Sequence, residues 1–373
     1  MPNATLFTPL HLGPYRLSHR VVMAPLTRMR AARPGNVPRL LNAEYYAQRA
    51  SEGGLIIAEA SQVTPSGQGV PASPGIHSSV QVAGWKKATD AVHAKGGVIY
   101  LQLWHVGRIS HPSHQPDGAL PVSASAVQPK GEATTASFTR EPFETPRALR
   151  TDEIPLLVES YIQAARNARE AGFDGVEIHA ANGYLLEQFL QSRTNLRQDA
   201  YGGSIENRAR LLLEVAEAVS GVWGSERVGV RLLPFGVAND SGEEDPQPLY
   251  TYVIGALAQL GIGYLHVIEP RASGAGQAEV DHQGLPSASE LFRPLWPKVL
   301  IAAGNYRGDT AEAAVAAGHA DAVAFGRLFI SNPDLPERLR VGAPLTPYNR
   351  RTFYGGEAEG YTDYPALSEQ AAE

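Results

Sequence analysis

Three hydrogen-bonding side chains, His179, Asn182 and Tyr184, follow directly on the apolar run at residues 175–178. A second apolar stretch, residues 184–190, reads as a helix, so the trio sits where strand passes to helix. A neutral imidazole and a carboxamide can both donate to one oxygen. A phenol, with an ordinary pKa of about 10, stays protonated at neutral pH and can give up a proton. Two donors and one acid suggest activation of a carbonyl or nitro group. The same residues could equally do no more than satisfy backbone groups at a helix start. The elements that position them must decide.

Short apolar runs alternate with longer helical patterns along the chain, at residues 20–24, 55–59, 98–103, 175–178, 228–232, 264–268, 299–302 and 322–325. Each run is near-continuous rather than alternating, as in parallel strands covered on both faces. Eight such units predict a single (β/α)8 TIM barrel over residues 1–373, with an N-terminal capping segment. Among the helices, Thr151 suits an N-cap ahead of the stripe Ile154, Val158, Tyr161, Ala165, Ala168, which Gly172 ends. Ser204 plays the same part before Leu211, Leu212 and Val215. One excursion stands out: residues 105–150, rich in Pro, Ser and Thr, separate the third strand from its helix far beyond the usual ~2–6 residues. A lid or small subdomain over the strand ends and an idle loop both fit it.

Composition removes several classes of function. The chain has 373 residues, 43% of them hydrophobic, and no apolar stretch long enough to span a membrane. Cysteine is absent, which excludes disulfides, thiolate catalysis and Cys-ligated metals. The start MPNATLFTPLHLG lacks a secretory pattern, so a cytoplasmic location is expected. A net charge of −6 with scattered cations offers no face for nucleic acid. His111 and His114 lie in the excursion without carboxylate company, and no metal is expected there.

A barrel gathers the residues at its strand C-termini regardless of their distance in sequence. Here they are Pro25, Leu26 and Thr27, then Glu59 and Ala60, Gln102 and Trp104, the trio, and Arg231. Gly304 and Asn305 follow the seventh strand, Gly326 and Arg327 the eighth. Loops after the last two strands commonly cradle phosphate. No Lys stands at a strand end, since Lys298 precedes the seventh, which counts against a Schiff-base aldolase. Thr27, Gln102 and Asn182 are poor ligands for a metal-dependent hydrolase.

The segments APLTR, LQLWHVGR, HAANGYLLEQFL, DAYGGSIENR, AFGRLFISNPDLPERL and YGGEAEGYTDYP together resemble the Old Yellow Enzyme family. Within it the chain is most similar to the branch of N-ethylmaleimide reductase and pentaerythritol tetranitrate reductase, and the likeness runs from about Leu6 to Pro365. It implies noncovalent FMN, reduction by NADPH or NADH, and activated C=C bonds of small molecules as acceptors. By the same resemblance, Thr27 would meet the flavin carbonyl beside N5, Gln102 the pyrimidine edge, and Arg231 the N1 and C2-carbonyl edge. A salt-bridge role for Arg231 stays open. Gly304, Asn305, Gly326 and Arg327 would hold the ribityl phosphate, with Ala60, Pro25 and Leu26 against the ring. His179 and Asn182 would grip the acceptor oxygen and Tyr184 would protonate the α carbon, completing an ene-reductase. A non-catalytic flavin carrier would need no such trio.

Departures from the family concern substrate. Val70 stands where relatives often carry Tyr, and EPRASGAGQ lacks a Trp frequent after the sixth strand, so a wider pocket is expected. Some relatives have His at the position of Asn182. Asn cannot titrate, which leaves His179 as the one member of the pair able to bring a protonation step near neutral pH. Trp104 and Tyr354 are candidate pocket walls, with ordinary packing an equal alternative. The sequence leaves monomer and homodimer equally open.

Overall fold

A computed structural model of the protein describes residues 4–270 and 284–370. The eight apolar runs become parallel strands: β1 (Val21–Met23), β2 (Leu55–Gln62), β3 (Val98–Trp104), β4 (Gly175–Ala180), β5 (Val228–Leu232), β6 (Tyr264–Ile268), β7 (Val299–Ala303) and β8 (Ala322–Phe325). They close into one barrel in the order β4-β5-β6-β7-β8-β1-β2-β3. Helices α1 (Leu40–Arg49), α2 (Ser79–His93), α3 (Ile154–Glu170), α4 (Leu185–Leu190), α5 (Ile205–Trp223) and α6 (Pro246–Gln259) cover the strands, with α7 (Ala288–Phe292), α8 (Gly308–Ala316), α9 (Arg327–Ser331) and α10 (Leu335–Val341). This double covering explains the unbroken apolar runs, because nearly every strand residue is buried on either face. The barrel expected from the sequence is the barrel observed.

The N-terminal segment caps the lower end as expected. A hairpin of Leu10–Leu12 and Tyr15–Leu17 buries Leu12 and Leu17 against Ile57, Tyr100 and Tyr264. Helix α5 shows how such elements are specified: Ser204 Oγ accepts from the Asn207 N–H, while Leu211, Leu212, Val215 and Val219 are fully buried. Truncating one of those leucines to Ala would cost roughly 2–5 kcal/mol.

Two expectations need correction. Thr151 is not an N-cap: it opens a 3-10 turn, Thr151–Glu153, that leads into α3, and its hydroxyl donates to Asp199 at 2.6 Å instead. Glu59 and Ala60 do not end their strand, which runs on to Gln62 with a break in register against β3 between Ala58 and Ser61. Glu59 turns away from the strand ends, accepting from the Arg28 N–H at 3.1 Å and the Tyr46 hydroxyl at 3.3 Å. The excursion at 105–150 carries structure of its own: Val122–Ser123 pairs with Arg147–Ala148, and Glu132–Thr134 pairs with Arg140–Pro142 as a hairpin.

Arg28, only 1% exposed, ties the C-terminal segment to the barrel. Its guanidinium donates to the carbonyls of Phe353 and Gly360, each at 2.8 Å, and lies over the Tyr361 ring. That clamp fixes Tyr354 at the upper rim. Among the described residues no helix is long and apolar enough to cross a membrane.

Candidate active site

A cavity of about 590 Å³ opens at the C-terminal ends of the strands. Every site residue expected from the sequence lines it: Pro25, Leu26, Thr27, Ala60, Gln102, Trp104, His179, Asn182, Tyr184, Arg231, Gly304, Asn305, Gly326, Arg327 and Tyr354. Val70 lines it too; of EPRASGAGQ, residues 271–277 lie outside the described residues, so the expected gap at that wall does as well.

A tight turn builds the trio. Tyr184 N–H donates to Ala181 O at 3.3 Å, and the two central residues have positive φ, +58° at Asn182 and +76° at Gly183. Asn-Gly is the pair such a turn favours. A Cβ at Gly183 would also approach Ala238 O to 2.5 Å. The turn is held from outside. Gly183 N–H donates to the Glu187 carboxylate, Gln188 Nε2 donates to Gly183 O at 2.7 Å, and Asn239 Nδ2 donates to Asn182 O at 2.8 Å. Asn182 therefore serves the turn as well as the cavity.

The aromatic rings fix one another. Tyr184 meets His179 edge-on with centroids 5.1 Å apart and Trp104 at 5.0 Å, while Trp104 and His179 lie nearly parallel. Burial raises the Tyr184 pKa well above that of a free phenol, so the hydroxyl keeps its proton. Burial, with Arg231 and His266 nearby, pushes the His179 pKa well below its ordinary value. This corrects the expectation of a protonation step near neutrality: the imidazole is neutral there and cannot supply one.

Beneath the cavity floor lies a polar layer that the sequence reading passed over. Glu177, fully buried inside β4, accepts from Gln102 Nε2 at 2.7 Å and from the Tyr264 hydroxyl at 3.0 Å, and lies 2.8 Å from His266 Nδ1. Burial alone would raise its pKa, but His266, Arg231 and these hydrogen bonds hold it below the usual range. A carboxylate only accepts, so Nδ1 of His266 carries the hydrogen. An ionisable residue inside an apolar strand, as in GVEIHA and YLHVI, was the signal available. Asn239, Thr134 and Arg140 also line the cavity unanticipated, the last two brought there by the hairpin of the excursion. His111 and His114 stay outside it, His111 beside Glu141 and Ser113, His114 on the Thr134 carbonyl.

The wall fits a flat, polar heterocycle with an anionic tail. Arg231 Nε, His179 Nδ1 and Asn182 Oδ1 are buried without a protein partner, so three polar atoms of the lining are left for a ligand. At the other end Arg327 Nη2 reaches Asn305 Oδ1 at 2.9 Å beside Gly304 and Gly326. A Cβ on Gly326 would come within 3.1 Å of Leu26, so bulk is excluded there. Residues 5–346 match the NADH:flavin oxidoreductase / NADH oxidase family.

The chain belongs to that family. Rice 12-oxophytodienoate reductase 1 is 48% identical over 367 residues, covering 98% of this chain and 93% of the relative. Arabidopsis thaliana 12-oxophytodienoate reductase 2 is 45% identical over 372 residues, with coverages of 99% and 97%. Morphinone reductase, solved with tetrahydroNAD, superposes with a TM-score of 0.90 at 51% identity over 97% of each chain. The old yellow enzyme homologue from Zymomonas mobilis gives 0.91 at 44% identity over 97% and 99%. The protein is thus an FMN-dependent NAD(P)H oxidoreductase of the Old Yellow Enzyme type.

Proposed function

We propose that the protein is an ene-reductase that reduces the C=C bond of small α,β-unsaturated carbonyl or nitro compounds, with NADPH or NADH as reductant. The observation that carries this reading is the convergence of His179, Asn182 and Tyr184 on one cavity wall. FMN, when bound and reduced, supplies the hydride from its N5. Thr27, Gln102 and Arg231 would contact its ring edges, Pro25, Leu26 and Ala60 would pack on it, and Gly304, Asn305, Gly326 and Arg327 would hold its phosphate.

The chain's own residues then do the rest. His179 is neutral and donates one N–H; with the Asn182 carboxamide it grips the acceptor oxygen and draws electron density from the double bond. As the β carbon receives hydride, negative charge grows on the oxygen those donors already contact. Tyr184, still protonated, delivers its hydroxyl proton to the α carbon. His179 is buried and Asn182 and Tyr184 are partly so, which limits water at the wall and strengthens these interactions. Trp104 walls the pocket and Tyr354 stands at its rim. We also assign residues 1–373 to one FMN-binding barrel domain and residues 105–150 to a lid or subdomain insertion within it, because Thr134 and Arg140 reach the cavity.

The test is a visible spectrum under anaerobic conditions. The yellow flavin band should bleach with NADPH and return when 2-cyclohexenone is added. A band that bleaches and stays bleached with enones and nitroalkenes alike would refute the reading.

A further inference from the structure

Glu177 on β4 and Gln102 on β3 are direct partners across their strand pair, and their side chains meet inside the barrel at 2.7 Å. A carboxylate only accepts, so the atom of Gln102 that faces Glu177 Oε1 has to be the amide nitrogen. The other carboxylate oxygen is also engaged: Oε2 accepts from the Tyr264 hydroxyl at 3.0 Å and lies 2.8 Å from His266 Nδ1. Space for the Tyr264 ring exists because its neighbour on β5 is Gly229, where a Cβ would come within 2.0 Å of that ring. Held at both oxygens and fully buried, Glu177 has no room to turn away from Gln102. The amide oxygen of Gln102 is the end left over. Gln102 lines the cavity, and among the described residues no group donates to its Oε1.

We infer that Glu177 is a positioning residue for the flavin: by holding the amide nitrogen of Gln102, it leaves the amide oxygen as the group that meets the pyrimidine edge of the ring, where N3–H is the donor. This rests on the reading that FMN lies with that edge at Gln102. A glutamine side chain carries a donor end and an acceptor end of nearly the same size, so only its partners decide which one a ligand meets. Turning the amide over would set its oxygen against the carboxylate on one side and a donor against N3–H on the other. Glu177 is absent from the cavity lining and acts through Gln102 alone. Tyr264 and His266 hold the carboxylate, the carboxylate holds the amide, and the amide reads the ring.

Two readouts on the holoenzyme test it: FMN released on serial dilution, and the N3–H signal of bound 15N-labelled FMN. The variants are Glu177→Gln, Gln102→Leu, the two combined, and Tyr264→Phe. A glutamine at 177 can donate as well as accept, which frees Gln102 to turn over. Glu177→Gln should therefore weaken FMN binding about 5- to 30-fold and move the N3–H proton upfield, with faster exchange into water. Added to Gln102→Leu, the same change should alter affinity by less than about twofold. Tyr264→Phe removes a hydrogen bond from Oε2 alone and should keep the parent's N3–H signal, which separates the aiming of Gln102 from a general loosening of the layer. Glu177→Gln is close in shape to the parent, so its N3–H signal decides even if the combined variant does not fold. If Gln102→Leu weakens binding but the signal is unmoved in Glu177→Gln, or moves as far in Tyr264→Phe, the inference is overturned and the flavin placement stands. If Gln102→Leu leaves both affinity and signal unchanged, the placement of the pyrimidine edge fails and takes this inference with it.

Discussion

His179 and Arg231 are directly paired on neighbouring strands β4 and β5, so a buried imidazole and a fixed cation share one layer of the barrel mouth. The pairing has a consequence for pH. Burial and the guanidinium both disfavour imidazolium, and His179 stays neutral where a free histidine titrates. The oxidative half-reaction of the His179→Asn variant should therefore keep the parent's profile shape from about pH 6 to 9. A step near 6.5 in the parent that this substitution removes would show that His179 does titrate.

The same neutrality bears on stability. His19, lowered to about 4 by burial, and His105, lowered to about 3, join His179 as histidines that are uncharged when folded. Unfolded histidines take up protons below about pH 6.5, so the unfolded chain binds more of them and stability falls as pH drops through that point. Thermal melts should show Tm decreasing from about pH 7 to 5. A Tm that rises over that range would contradict these assignments.

Glu187 works in the opposite direction. Burial raises its carboxyl from 4.5 to about 8, against the Gly183 N–H and the Tyr250 hydroxyl that favour the ionised form. From about 4.5 to 8 the folded chain holds a proton that the unfolded chain has lost, so this group costs stability as pH rises. Glu187→Gln keeps an acceptor for Gly183 and should gain on the order of 1–3 kcal/mol over the parent above pH 8, with less difference near pH 5. Denaturant midpoints at the two pH values decide it; equal differences at both would refute the shift.

Arg231 and Glu177 supply opposite charges close to the place proposed for the flavin's pyrimidine edge. Replacing Arg231 by Met should make bound FMN harder to reduce, by roughly 30–60 mV, while Glu177→Gln should shift the potential the other way. Dye-equilibrated reductive titrations measure both. Shifts of the same sign would mean that local charge is not what tunes the cofactor.

Much of this was legible in the chain because parallel barrel strands are buried on both faces and advertise themselves as unbroken apolar runs. HAANGY was legible twice over, since the Asn-Gly pair that forms the turn between His179 and Tyr184 also carries a donor. What was missed has physical causes. Thr151 has the right residue type for a cap, but a long-range partner, Asp199, takes its hydroxyl. Asn239 lies in PFGVANDSGEED, an irregular loop with no periodicity to place it. Glu177 and His266 stand in continuous apolar runs with no alternation to say which side chains face the barrel axis, so the one available signal was their ionisable type in such a run.

Tyr184 carries the central step, its phenol being proposed to protonate the α carbon. In single-turnover experiments, Tyr184→Phe should reoxidise with 2-cyclohexenone about 10²–10⁴ times more slowly than the parent, while its FMN content and its reduction by NADPH stay nearly unchanged. Reoxidation at the parent's rate, with the new α C–H formed on the same face, would contradict it.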